Sequence, residues 1–348
     1  MNKVRNVALA AAIGLIGIAG CKKLASTSQL AGALSAAVAG NKVTETSAAV
    51  PSAAAPSAME ADSALAEKLS CFIQCFNRLS ISVRDAEHRY YGWVDEKTGP
   101  TGKEKSVDGV SVLSPDFSME KLDKAKSLPP ALPDIDAAAE AYRAAANKLN
   151  PLVEAANKYY QQNDYKDDKF ARGKAMHAPL VAAFAEFDAA DKALSDKVTV
   201  MNDALGQRRL AALAKDPKRK IQYLVEQSLA DAKKLLPVAA VKKLDDVDEA
   251  KLGAAVTTFE TSESNLESYA SANKAEADKA SMLGSTISAE KDLLKSSKDL
   301  LRRKRDKKDF NKEFFAHTDP ELVDGHPAQV IKTYNALIEQ TNSLTYET

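Results

Sequence analysis

A regular apolar pattern that begins near residue 63 constrains the fold of this chain more than any other feature. Over nine positions, apolar residues recur at alternating spacings of four and three. This period places them along one side of an α-helix, and such a long apolar side must be covered by other helices. The nine residues are Leu65, Leu69, Phe72, Phe76, Leu79, Val83, Ala86, Tyr90 and Trp93.

The rest of the chain also favours helices. It is 45% apolar but only 6% aromatic, and much of the apolar content is alanine. Alanine favours helix, whereas strands prefer β-branched and aromatic residues. We therefore predict an all-α fold, an elongated multi-helix bundle of six or seven helices. After the helix from residue 63, the expected bundle helices are 134–162, 164–214, 217–236, 245–280, 285–308 and a last helix from 327, with a short helix in the loop at 119–128.

Apolar spacing also predicts which sides of these helices are buried. In the helix from 164, the expected core positions include Phe184, Phe187, Leu194 and Val198. In the helix from 285 they are Ile287, Leu294 and Leu301, which lie one heptad apart. The turn Gly99-Pro100-Thr101-Gly102 is typical of a connection between helices.

The N-terminal residues have the pattern of an export signal. Lys3 and Arg5 precede about 14 mainly apolar residues, fewer than the roughly 20 that a membrane-spanning helix needs. The segment ends in Ala19-Gly20-Cys21 and resembles the lipobox of bacterial lipoproteins. That resemblance implies removal of residues 1–20, acylation of Cys21 (palmitate among the acyl groups) and a lipid anchor in an envelope membrane. Lys22, in place of the aspartate of retained lipoproteins, implies the outer membrane, facing the periplasm.

Residues 21–62 are predicted to be a flexible linker. They are mainly Ala, Ser, Thr, Gly and Pro, with no aromatic residue. Such a segment buries too little apolar surface to offset the entropy of ordering it. The domain organisation we predict is therefore a signal peptide at 1–20, a linker at 21–62 and a helical domain at 63–348.

Charge excludes one class of partner. Without residues 1–20 the chain carries 46 basic and 48 acidic side chains, since Lys3 and Arg5 are the charged residues removed. This near balance gives no general attraction to nucleic acid. The expected partners are the membrane, through the lipid anchor, and an envelope protein or anionic lipid; the sequence does not indicate an oligomeric state.

Several motifs resemble one family. They are Tyr159–Phe170 with Gly173, Lys174 and His177; Cys75–Leu79; Tyr91 and Trp93; Gly99–Glu104; Arg302–Lys307; and Tyr334-Asn335 with 342–344. In their order along the chain they resemble the YiiG-like family of Gram-negative lipoproteins, a DUF3829-type domain of unknown function. The resemblance implies an envelope lipoprotein with a helical domain. It implies no established activity, so no catalytic residue is carried over.

Three acids stand at the predicted start of the helix from 164. Asp164, Asp167 and Asp168 fit helix capping, with Asp164 as the N-cap and the others in the first turn. The alternative is a hard-cation site such as Ca²⁺, although the spacing does not match an EF-hand loop. Capping is the interpretation we favour. Tyr165 and His177 complete this candidate ligand- or partner-binding region.

A dense basic run ends the helix from 285. Arg302, Arg303 and Arg305, with Lys304, Lys307 and Lys308, fit a solvated last turn that complements the helix dipole. The alternative is a docking patch for anionic lipid headgroups or an acidic partner.

Cys71 and Cys75 are the cysteines that remain after Cys21. They stand four residues apart, where helical Cβ atoms are about 5–6 Å apart, against about 3.5–4.5 Å in a disulfide. Two partly buried free thiols are therefore favoured over a disulfide. The family pattern has no counterpart of Cys71.

Two functional hypotheses follow. The first is a non-catalytic envelope lipoprotein whose helical body binds a partner. The second is a ligand- or metal-binding enzyme with a site between helices, formed by Tyr165, Asp167, Asp168 and His177. The sequence contains no HExxH, paired CxxC, P-loop or dinucleotide-binding motif. We therefore predict no cofactor, no metal and no catalytic residue, and favour the first hypothesis.

Overall fold

The computed structural model describes residues 58–241, 244–307 and 320–346, and over these residues the predicted all-α multi-helix bundle is confirmed. One small antiparallel ribbon accompanies the helices: β1 (Ala280–Ser281) pairs with β2 (Thr345–Tyr346). The helices are α1 (Ala58–Trp93), α2 (Asp116–Ser127), α3 (Pro133–Gln161), α4 (Ala171–Leu213), α5 (Lys220–Lys233), α6 (Leu236–Ala239), α7 (Glu249–Ala272), α8 (Lys274–Ala277), α9 (Leu283–Arg305) and α10 (Pro327–Asn342).

Two helix starts differ from the predicted ones by five residues or more. α1 begins at Ala58, within the last residues of the predicted linker. α4 begins at Ala171 and not at 164, because Asp164–Lys166 forms a 3₁₀ turn. Lys169 and Phe170 then adopt positive φ angles of 52° and 66°, which an α-helix does not accommodate. The predicted signal peptide at 1–20 and the predicted linker up to residue 57 lie outside the described residues.

The first core lies between α1, α2, α3 and most of α4. The apolar pattern of α1 is confirmed: eight of its nine positions are buried, and Trp93 is half-buried. α1 packs against α2 and α4, and α3 packs along α4. From α4, Phe184, Phe187, Leu194 and Val198 enter this core as predicted.

Charged side chains are also buried in the first core, and each has an opposite charge beside it. The Lys68 side chain is 1% exposed, and its Nζ lies 2.9 Å from Asp136 Oδ1. Asp191 accepts hydrogen bonds from Ser80 Oγ at 2.6 Å and from Arg84 Nη2 at 2.8 Å. These pairs join α1 to α3 and α1 to α4. They therefore fix the register of each pair of helices.

The second core lies between α5, α7, α9 and α10. Its centre contains Phe259, Leu293, Leu300, Val330 and Leu337, all fully buried. The C-terminal part of α4 reaches this core through two ion pairs. Arg209 lies 2.6 Å from Glu226 of α5, and Asp203 pairs with Lys233, also of α5.

α4 therefore lies in the first core and is linked to the second by these ion pairs. With 43 residues it is about 65 Å long at 1.5 Å per residue. Within the described residues, no helix combines the length and the apolar composition that a bilayer crossing requires.

We predict that Asp136→Ala destabilises the first core by about 2–4 kcal/mol. The substitution leaves the buried Lys68 ammonium without its counter-ion and removes the acceptor of the Leu132 N–H. Urea unfolding followed by the fluorescence of Trp93, the single tryptophan of the chain, measures this loss.

The matched control is Asp196→Ala. Asp196 pairs with Lys192 on the exposed side of α4, so its loss should cost at most about 0.5 kcal/mol. Equal losses for the two variants would contradict the structural importance of the Lys68–Asp136 pair.

Candidate functional site

Many of the residues that carry the family resemblance meet at one end of the first core. The C-terminal end of α1, the end of α3, the turn at 164–170 and the start of α4 converge there. Their side chains form a group that we call the aromatic cluster. Its members are Tyr90, Tyr91, Trp93, Tyr159, Tyr160, Tyr165, Phe170 and His177.

The rings of the aromatic cluster pack against one another. Trp93 and Tyr160 meet edge to face with their centroids 4.9 Å apart, and Tyr90 lies edge to face with Trp93 at 5.8 Å. Tyr165 stacks at a tilt on Phe170 at 4.8 Å. These separations are typical of stabilising aromatic pairs. The rings thus fill the space between the helix ends.

His177 is the polar centre of the cluster. Its side chain lies 2.9 Å from the Tyr90 hydroxyl through Nδ1 and 2.9 Å from the Glu96 carbonyl oxygen through Nε2. A carbonyl oxygen can only accept, so Nε2 carries the proton and Nδ1 accepts from Tyr90. Both ring nitrogens are therefore used within the protein.

Burial determines the protonation of this pair. Desolvation lowers the pKa of His177, and the charge of Asp95 offsets this only in part. Burial raises the pKa of Tyr90 to about 12. At neutral pH the pair is a neutral phenol that donates to a neutral imidazole. This arrangement positions the loop that carries Glu96, and it leaves no ring nitrogen to bind a metal.

The connection between α1 and α2 closes over this cluster. Gly99 has a φ of +70°, and a Cβ at this position would lie 2.8 Å from the His177 ring. Asp95 accepts from the backbone N–H groups of Lys97 and Thr98, and Trp93 Nε1 donates to the Gly109 carbonyl at 2.8 Å. These contacts hold residues 94–113 against the rings.

Glu104 organises the middle of the same connection. Its carboxylate accepts from the N–H and hydroxyl of Thr101 and from the Gly102 N–H at 2.8 Å. These hydrogen bonds lower the pKa of Glu104 against a desolvation effect in the opposite direction. The turn at 99–102, which the sequence predicts to be a connection between helices, is thus held by hydrogen bonds to the Glu104 side chain.

One of the acids at 164–168 bonds the first turn of α4, but it is not the predicted one, and the N-cap position itself is Phe170. Asp168, not Asp164, accepts from the Arg172 backbone N–H, at 3.1 Å. Asp168 also accepts from the Tyr159 hydroxyl at 2.7 Å, and this bond is the largest cause that lowers the pKa of Asp168. Asp164 instead lies 3.3 Å from the Arg172 guanidinium. The predicted N-cap at Asp164 is wrong because α4 starts seven residues later.

The remaining candidates do not converge on a common point. Asp167 is exposed, and the Tyr165 hydroxyl donates to Asn163 Oδ1 at 2.9 Å. In the ranges that the structure describes, no three His, Cys, Asp or Glu side chains are grouped so that they could hold a metal ion. The aromatic cluster brings Tyr165, Asp168 and His177 to one end of the bundle, but each binds a different neighbour.

The basic run at the end of α9 lies with the second core, away from the aromatic cluster. Arg303 donates to the Asp324 carbonyl at 2.7 Å, and Lys304 donates to the carbonyls of Leu244 and Asp245. Arg302 and Arg305 are exposed beside Asp299 and Glu249. The run therefore joins α9 to two neighbouring segments, where the sequence indicated only a solvated turn or a docking patch. Lys308 lies outside the described residues.

Cys71 and Cys75 are free and buried. The alternative of a disulfide between them is not adopted, because both stand on the regular helix α1 with the i, i+4 separation that is too wide for one. Burial raises the pKa of Cys75 to about 12, so this thiol is unreactive. Cys21 lies outside the described residues.

Sequence reasoning missed several buried polar groups, among them Asp191 and Glu290. Asp191 lies between Phe187 and Leu194 at the same four-then-three spacing, and Glu290 lies three residues after Ile287. Asp191 is 6% exposed and Glu290 is 0% exposed. Their positions on the apolar side of their helices indicated burial. A carboxylate, however, is ordinarily assigned to the surface.

Comparison with known proteins identifies relatives but no activity. The family described as "Protein of unknown function (DUF3829)" matches residues 63–343. The uncharacterized protein YiiG of Escherichia coli strain K12 is 31% identical over 287 residues, which cover 80% of this chain and 78% of YiiG. No solved structure matches this chain. The family match spans both cores and the whole aromatic cluster.

We predict that Gly99→Ala destabilises the first core by about 2–3 kcal/mol. A Cβ requires a strained positive φ and displaces the His177 ring from its two hydrogen bonds. Urea unfolding followed by Trp93 fluorescence measures the change.

Gly92→Ala is the matched control. Gly92 lies near the end of α1, and a methyl group there would meet nothing within 4 Å, so alanine should stabilise the helix by about 0.5 kcal/mol. Similar losses for both glycines would contradict the role of the Gly99–His177 contact.

Proposed function

This chain belongs to the DUF3829 family of proteins of unknown function, as its motifs predict, and we propose that it is a lipid-anchored envelope protein whose helical body binds a partner without catalysing a reaction. The proposal has two parts, the anchor and the binding surface. Each is supported by a different part of the chain, and each has its own test.

The anchor is supported by the chemistry of the N-terminal segment. Two cations, a short apolar stretch and Ala19-Gly20-Cys21 form the pattern of a processed, acylated lipoprotein signal. Each acyl methylene buried in a bilayer contributes about 0.8 kcal/mol, so more than one chain gives a stable anchor. The outer membrane, facing the periplasm, is the location that we propose, from Lys22 after the cysteine.

One observation supports binding over catalysis: His177 and Asp168, the ionisable candidates at this end of the core, are both engaged in internal contacts. His177 bonds Tyr90 and the Glu96 carbonyl, and Asp168 bonds the Tyr159 hydroxyl and the Arg172 N–H. The bond from His177 to Glu96 helps to hold the 94–113 connection in place. A connection that is held rigidly on a helical scaffold is a suitable recognition surface.

The outer side of this connection is polar. Lys97, Lys103 and Lys105 are exposed there, as are Thr98 and Thr101. By contrast, Arg302 and Arg305 of the basic run lie beside carboxylates that reduce their attraction for anions. The 94–113 connection is therefore the surface that we propose for an acidic or polar envelope partner.

We predict that Cys21→Ser removes the chain from the membrane fraction and leaves it without an acyl group. Serine has no thiol to acylate, so the body should be recovered as unacylated protein. Membrane fractionation, together with mass spectrometry of the N-terminal peptide, provides the measurement.

Cys71→Ala is the control for this experiment. It removes a buried thiol of the body and should leave acylation and membrane association unchanged. An intact, unacylated N-terminus in the wild-type chain would overturn the anchor.

The binding surface is tested by crosslinking in cells. We predict that a photo-reactive residue at Lys97 or Lys103 forms a specific adduct, because both positions lie on the proposed recognition surface. The same group at Lys192, on the exposed side of α4, is the control and should form none. Adducts that are equal at all three positions, or absent at the first two, would overturn the assignment of this surface.

A further inference from the structure

The Glu290 carboxyl lies in the middle of the second core. Its residue is 0% exposed, and among the described residues neither carboxyl oxygen has a hydrogen-bond partner. On α9 it follows Leu283 and Thr286 on the buried side, and Leu293 and Leu294 come after it. An ionised carboxylate without partners in such surroundings is very unfavourable, so the group must be neutralised or compensated.

A second unpartnered polar group, Ser228 of α5, lies beside this carboxyl. Ser228 is 0% exposed, and its hydroxyl makes no hydrogen bond of ordinary geometry within the described residues. It nevertheless lies close enough to Glu290 to favour the ionised form, although this effect is smaller than that of burial. A hydroxyl and a carboxyl thus face each other in an otherwise apolar space.

Glu263 of α7 completes the arrangement. It is 5% exposed, and its Oε1 is buried with no partner in the part of the chain that the structure describes. Its charge acts on Glu290 and disfavours a second charge there. We call Ser228, Glu263 and Glu290 the buried carboxyl site.

Among the described residues, no cation compensates Glu290; Arg209 and Arg219 act instead on its neighbour Tyr346. Tyr346 of β2 interacts with Glu290, and burial raises the pKa of this phenol, so it is neutral. Lys291 and Lys298 act on Glu263 but pair with Glu267 and Glu260 on the exposed side. On α10, which also packs against α9, Lys332 and Glu339 are exposed.

We propose that the buried carboxyl site binds a proton: Glu290 is a neutral acid in the folded chain at neutral pH, and its ionisation at alkaline pH loosens α9 from α5 and α7. The proton is the smallest ligand that neutralises this carboxyl. A small cation bound between Glu263 and Glu290 is the competing occupant, and the experiment distinguishes the two.

The direction of the pH dependence follows from the sign of the effect. Burial raises the pKa of Glu290 from 4.5 to about 8, with Glu263 adding to the rise. A carboxyl that is more basic when folded stabilises the fold fully below the pKa of the unfolded chain. That contribution is lost as the pH rises from about 4.5 to about 8. Neutral and alkaline conditions therefore weaken the second core.

Infrared difference spectroscopy on the full chain tests protonation directly. At pH 7 the wild type should show the C=O band of a neutral carboxylic acid, which titrates away near pH 8. Glu290→Gln should abolish this band, because the amide cannot ionise. Glu267→Gln, which removes an exposed carboxylate of the same core, is the matched control and should retain it. A wild type without a neutral carboxyl at pH 7 would overturn the proposal.

Two further variants shift the titration in opposite directions, which general structural damage would not do. Ser228→Ala removes the hydroxyl that favours ionisation, so the midpoint should rise; Glu263→Gln removes a repelling charge, so it should fall. Titrations in NaCl, KCl and CaCl₂ at equal ionic strength should coincide. A midpoint that falls with one of these cations would show that the cation, not the proton, is the ligand.

Chemical unfolding as a function of pH provides an independent readout. Between pH 5 and 8, the unfolding constant of the second core in the wild type should rise about tenfold per pH unit relative to Glu290→Gln, because unfolding releases one proton. The ratio of the two unfolding constants removes the contribution of the histidines, because they titrate in the same pH range in both chains. Parallel pH profiles for the two chains would overturn the proposal.

Discussion

The long buried side of α1 is the constraint on which the first core depends. It packs against α2 and α4, and α3 packs along α4, so one apolar face aligns the remaining helices. At its C-terminal end the face becomes aromatic, and Tyr90 both packs with Trp93 and binds His177. The packing that forms the core therefore continues into the contacts that position the 94–113 connection.

The sequence predicts this part of the fold well because helical spacing is a local signal. Eight of the nine expected positions of α1 are buried, and the core positions of α4 are correct. In α9 the expected positions Leu294 and Leu301 are buried and Ile287 is half-buried. The fully buried positions lie one residue before or three after the expected ones: Thr286, Glu290, Leu293, Ser297 and Leu300. Glu290 follows Leu283 by one heptad, but a carboxylate does not signal a core position, so its burial depends on packing that local spacing does not reveal.

The candidate site was less predictable than the helices. Tyr165, Asp168 and His177 lie at one end of the bundle, whereas Asp167 is exposed, and their role as a binding site stays a prediction. Their partners, however, come from distant segments: His177 binds Tyr90 and Glu96, which lie more than 80 residues earlier. The choice of Asp168 over Asp164 as the acceptor at the first turn of α4 depends on Tyr159 of α3, and local capping rules do not include such a neighbour.

α4 links the two cores. Its N-terminal turns carry Gly173 and His177 of the aromatic end, while Asp203 and Arg209 near its other end are tied to α5. Pro179 lacks a backbone N–H and interrupts the hydrogen-bond ladder two residues after His177, but the helix continues through it. A single helix thus spans some tens of ångströms between the Gly99–His177 contact and the ion pairs with α5, so the placement of one end constrains the placement of the other.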